Sequence, residues 1–205
     1  MLGLAPQTLV FRLVALLVAA TVHEFAHAWM ANRLGDPTPR LRGRLSLNPL
    51  VHLDLVGSLL LLLVGFGWAK PVEVNPRYFL RGRQGMMLVA AAGPLANVTL
   101  LFLLGLLVQG GPVVSDTVLG RLVFTTMVIN AVLAVFNLIP IPPLDGSKIL
   151  AGLLPPQQAL ALDRVQQYGP LVLLVLIVLP GNLVGRIIWP PTQWLVRLAL
   201  GAGAF

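Results

Sequence analysis

TLVFRLVALLVAATVHEFAHAWMA, residues 8–31, decides the fold of this chain. A helix that crosses a bilayer needs about 20 predominantly apolar residues, and this stretch is long enough. Near its end stand His23-Glu24-Phe25-Ala26-His27, an HExxH pattern. Residues four apart share one face of a helix, so His23 and His27 can reach a single metal ion. Glu24 sits beside them, where a carboxylate can take a proton from water at the metal. Ionisable groups are costly to place in a membrane segment, which makes function the default reading. The alternative is two core histidines satisfied by their neighbours.

Composition extends the membrane reading to the whole chain. Of the 205 residues 57% are hydrophobic and 10% charged, with a mean hydropathy of +0.88. Soluble domains carry about 25% charged residues, so this chain lacks a water-facing surface. The expected class is an all-α polytopic membrane protein lying in a lipid bilayer. The net charge of +7 does not point to nucleic acid, because the basic residues are not interleaved with aromatics on a soluble face. Eight of the fourteen fall in two loops, as Arg33, Arg40, Arg42 and Arg44, and as Lys70, Arg77, Arg81 and Arg83. Such loops lie on the cytoplasmic side. With no cysteine, any metal site must use His, Asp or Glu. The first apolar segment is too long for a signal-peptide core and is expected to stay with the protein.

Further spans are expected at Met86–Val108 and Thr117–Ile139, the latter ended by Pro140, Pro142 and Pro143. Gly169–Trp189 reads as a last span, kinked at Pro180 and Gly181, and Trp194–Leu200 as a short interfacial helix. Leu55–Ala69 controls the topology. A helix this short falls below the roughly 20 residues that span, so it either re-enters or is a short tilted helix. Re-entry puts both basic loops on the cytoplasmic side and brings the end of the Thr117 span to the side of His27. A re-entrant element is therefore expected, within a single membrane-embedded domain over residues 1–205 without an appended soluble domain.

A catalytic zinc site usually has three protein ligands and one open position. The candidates for the third are His52, Asp36, Asp54, Glu73, Asp116, Asp145 and Asp163. Asp145 stands out, because it follows a span within Asn137–Gly146, where prolines hold the chain extended. It either ligates the metal or caps the helix that follows. His52 and Asp54 are the second choice; they bind metal, fix the loop at the membrane surface, or bring His52 to the substrate. Asp36 and Glu73 are expected to pair with arginines.

Three motifs resemble the site-2 protease family of zinc intramembrane proteases: HEFAH at 23–27, Asn137–Gly146 against N-x-x-P-x-P-x-L-D-G, and Gly93–Asn97 against G-x-x-x-N. The likeness covers about Val18–Leu150, a three-span catalytic core, with the C-terminal span and interfacial helix over about 168–205. The Leu45–Gly57 and Gly67–Pro76 stretches look like the compact bacterial and archaeal branch, without a PDZ or nucleotide-sensing domain. The resemblance implies one Zn2+ per chain held by His23, His27 and Asp145, with Glu24 as catalytic base. It implies that Asn97 and Asn137 line the substrate cleft, although interhelical hydrogen bonding explains Asn97 equally well. Ser147 departs from the family, where many members carry a second glycine.

The implied activity is endopeptidase cleavage in or near transmembrane segments of membrane proteins. The expected setting is a prokaryotic cell membrane with the active site toward the cytoplasm. His23 lies roughly 22 Å along its helix from Thr8, past the midplane. The Lys70–Asn75 strand and the glycine-rich Leu55–Ala69 segment could hold an unwound substrate by edge pairing. The rival is a metal transporter or scaffold that uses the same ligands and has no need of Glu24.

Overall fold

Three helices long and apolar enough to cross a membrane form the centre of the molecule. The computed structural model describes residues 6–54, 57, 69–111, 117–178 and 183–201. The helices are α1 (Pro6–Arg33), α2 (Thr38–Leu41), α3 (Gly82–Gln109), α4 (Val118–Asn137), α5 (Asp145–Leu153), α6 (Pro156–Val165), α7 (Gly169–Val178) and α8 (Leu183–Leu200). Strand pairing among the described residues is an isolated antiparallel bridge between Leu53 and Ala69. The protein is an all-α polytopic membrane protein.

The three spans α1, α3 and α4 pack against one another. Small residues line their contacts: Ala15, Ala19 and Ala28 on α1, Ala90 and Gly93 on α3, Ala131 and Ala134 on α4 are all buried. Within a bilayer apolar side chains gain nothing by leaving lipid, so close backbone approach between small residues holds such helices together. Gly35, at φ +102°, lets the chain turn sharply just past α1. Thr117 starts α4 by accepting the Gly120 N–H at 2.9 Å.

The ends of α1 and α3 meet on one side, where Ala31, Phe79 and Val89 form a buried cluster. The end of α4 reaches that same side, because α5 begins at Asp145 beside His23. Leu55–Ala69 falls mostly outside the described residues, but its boundaries are fixed. Leu53 pairs with Ala69, and the Lys70 N–H donates to the His52 carbonyl at 2.8 Å. The two described ends of this stretch therefore lie side by side. Arg44, which is buried, donates to the Val51 and Pro71 carbonyls and ties the two basic loops together.

The C-terminal region departs from expectation. Pro180 and Gly181 lie outside the described residues, so the kink assigned to them does too. Trp194–Leu200 is not a separate interfacial helix. It is the last part of α8, which runs through Pro190 and Pro191 and packs on α3 and α4. Ile188, Thr192, Val196 and Ala199 form a buried stripe at helical spacing, and Val196 and Ala199 join Leu101, Met127 and Ala131 in one core cluster. Burial of that stripe offsets the backbone bonds the two prolines remove.

Candidate metal centre

His23 and His27 stand one turn apart on α1 and face α3 and the start of α5. Their Nε2 atoms are 3.0 Å apart, and each lies 3.1 Å from Asp145 Oδ2. All three side chains are buried. His27 Nδ1–H donates to the Val89 carbonyl at 2.7 Å. His23 Nδ1–H donates to Asn97 Oδ1, also at 2.7 Å. With both Nδ1 protons so committed, the Nε2 lone pairs point inward. A carboxylate and two lone pairs converge on one spot, an arrangement that a cation between them would satisfy. Two nitrogens and a carboxylate oxygen with oriented outer partners suit zinc.

Local sequence explains how the three meet. Leu144 is extended at ψ 156°, and α5 starts at Asp145 with no side-chain cap, so the carboxylate is free to face the histidines. The capping alternative for Asp145 is not realised. Gly93 brings α3 directly against the pair, since a Cβ there would stand 2.5 Å from His27 Nε2. Lys148, one turn beyond Asp145, approaches its other oxygen, Oδ1, at 3.9 Å.

Glu24 and Asn137 line the same cavity as the three clustered residues, a space of about 1000 Å³. The Glu24 carboxylate accepts the Val72 N–H at 3.1 Å, which fixes one oxygen against the Lys70–Asn75 stretch. Asn137 donates to the Leu133 carbonyl on its own helix. Asn97 does not line the cavity. It is fully buried behind His23, and its amide nitrogen donates to the Ala19 carbonyl and to Asn130 Oδ1. His52 also stays outside. Its Nε2–H donates to the Ser46 carbonyl at 2.8 Å, so the ring braces the loop instead of facing the cavity. Asp54 accepts the Gly57 N–H and Glu73 pairs with Arg42. Asp36, expected to meet an arginine, instead accepts the backbone N–H groups of Thr38 and Asn75.

Residues 107–180 match the profile of Peptidase family M50. That match contains Asn137–Gly146 and lies outside HEFAH. The chain is 41% identical over 187 residues to the "Putative zinc metalloprotease YwhC" of Bacillus subtilis, covering 88% of this chain and 84% of that protein. The chain belongs to the M50 peptidases, the site-2 protease family. It is also 32% identical over 184 residues to the "Putative zinc metalloprotease Rip2" of Mycobacterium tuberculosis, covering 84% of this chain and 70% of that one. A Mycolicibacterium smegmatis Rip2 is 32% identical over 170 residues, covering 80% of this chain and 65% of its own length. No solved structure matches. This M50 chain is thus a zinc metalloprotease in class, embedded in a membrane.

Three groups at the M50 centre escaped the sequence reading: Asn130, the Val72 N–H and the Val89 carbonyl. The last two are backbone atoms, which side-chain patterns do not mark. Asn130 had a signal, being a buried amide within an apolar span.

Proposed function

We propose that this protein is a zinc-dependent intramembrane endopeptidase that cleaves peptide bonds in or near transmembrane segments of membrane proteins. The observation that carries the reading is the convergence of His23, His27 and Asp145 on a cavity that also holds Glu24, at the end of bilayer-length helices. In this reading His23, His27 and Asp145 hold zinc. Zinc bound there supplies a Lewis acid that acidifies water and polarises the scissile carbonyl. Glu24 accepts the proton from the attacking water and returns it to the leaving amine. The Val72 N–H holds one Glu24 oxygen in place and leaves the other for that proton. Asn137 reaches the substrate from the end of α4, where its amide can orient the peptide. Val72 and Val74 border the cavity, so the Lys70–Asn75 stretch is suited to lie beside an extended peptide. A helical substrate must unwind first, because its own peptide groups are already paired.

In this reading the centre faces the cytoplasm of a prokaryotic cell membrane, which the charge of the two basic loops supports. In this reading residues 18–150 form the catalytic unit of one membrane-embedded domain, and Leu173 and Leu174 of α7 border its cavity.

Glu24→Gln tests the reading. Zinc content should match the parent, while cleavage of a membrane-reconstituted substrate should fall by about 10²-fold or more, the range for losing a general base. A variant that still cleaves at the parental rate would overturn the role of Glu24. A variant that moves zinc across vesicles as the parent does would favour a transporter.

A further inference from the structure

We infer that Asn130, on α4, is a positioning residue of the metal centre, acting through Asn97 to fix the tautomer and ring angle of His23. The inference rests on the reading of His23 as a zinc ligand, and adds a residue that lies in none of the three motifs.

An asparagine amide offers two donors on nitrogen and an acceptor on oxygen, and can be turned end for end. Asn97 Nδ2 lies 2.9 Å from the Ala19 carbonyl and 2.8 Å from Asn130 Oδ1. The Ala19 carbonyl can only accept. Asn130 could in principle present either end of its own amide. Its Nδ2, however, donates to the Thr126 carbonyl at 2.8 Å, so its oxygen must face Asn97. Asn97 is then held by two acceptors and has no freedom to flip. Its oxygen faces His23, which must donate from Nδ1. The metal-facing Nε2 is left with a lone pair. The order thus runs from a backbone carbonyl on α4, through two amides, to one ligand atom on α1.

Burial makes the arrangement decisive. Asn97 and Asn130 are both 0% exposed, so no solvent can substitute for a lost partner. Without Asn130, Asn97 retains only the Ala19 acceptor, and turning its nitrogen toward His23 becomes competitive. The imidazole would then carry its proton on Nε2, the wrong atom for a metal. A plain interhelical bond would tie α3 to α4 and have no effect on that proton.

The test uses the full chain purified in detergent. Zinc affinity is measured by competition with a chromophoric chelator. The zinc-free protein, labelled with 15N-histidine, reports each ring's tautomer by NMR; only His23, His27 and His52 contribute. Asn130→Leu should weaken zinc binding by about 10- to 100-fold, the range for outer-partner loss, and shift His23 toward the Nε2–H form. Asn130→Asp should stay close to the parent, because a neutral carboxyl can accept from Asn97 and donate to Thr126. In an Asn97→Ala background, Asn130→Leu should bring no further loss of affinity. Parental affinity and tautomer in Asn130→Leu would overturn the inference, as would equal losses in both backgrounds. If Asn130→Leu does not fold, Asn130→Ala removes the acceptor without adding bulk and is read the same way. A parent that binds no zinc would sink the metal reading instead, and the tautomer measurement would still decide the role of Asn130.

Discussion

Gly93 is the residue on which the geometry of the centre depends most narrowly. Any Cβ there would stand 2.5 Å from His27 Nε2 and 2.7 Å from His23 Cε1, so a single methyl must push the rings off their meeting point. Gly93→Ala should therefore lower zinc affinity at least about 10-fold, and overpacking should cost about 1–3 kcal/mol of stability. Chelator competition and thermal unfolding read the two effects separately; parental zinc affinity would show that α3 can retreat. Much of the centre was legible at this scale. His23, Glu24, His27 and Asp145 are titratable side chains at recognisable spacing, and all four line one cavity. Asn97 and His52 were legible as polar residues but not in their direction. A motif gives the position of an amide, whereas its partners come from helices remote in sequence: Ala19 and Asn130 for Asn97, and a loop carbonyl for His52.

At the scale of elements, α8 shows where local rules lose to packing. Two adjacent prolines argue for a break, and the sequence reading placed one. The buried stripe from Ile188 to Ala199 keeps the helix whole by holding it on α3 and α4. Gly105 makes that contact possible: its absent side chain leaves room for the Ala199 backbone, and Gln109 donates to the Ala199 carbonyl at 2.8 Å. Gly105→Leu should force α8 away and lower the unfolding temperature. Zinc affinity should change little, because the contact lies about 18 Å along α3 from Gly93. If zinc were lost in step with stability, α8 would have to belong to the catalytic unit itself. The spans were easier to read, since they follow from apolar length and from the prolines that end the last of them. Lys70–Asn75, expected as a strand, has no strand pairing among the described residues and is held instead by anchors on Glu24 and Asp36, which the sequence did not reveal because each is a backbone N–H meeting a distant carboxylate.

At the scale of the whole molecule, the alternation of α1, α3 and α4 and the joining of the two basic loops make a topology that can be checked directly. The chain has no cysteine, so single cysteines can be introduced without a background. Leu41 and Leu80 are exposed in the two basic loops, and Val118 is exposed at the opposite end of α4. Leu41→Cys and Leu80→Cys should react with an impermeant maleimide from the same face of the membrane, and Val118→Cys only from the other. Labelling of Leu41→Cys and Leu80→Cys from opposite faces would break the topology. The closure at Leu53 and Ala69, with Arg44 clamping Val51 and Pro71, has a consequence for evolvability. Doubling the length of a closed loop costs only about 0.6 kcal/mol. A change in length between the two anchors therefore costs little in closure, because the pairing of Leu53 with Ala69 holds both ends in place.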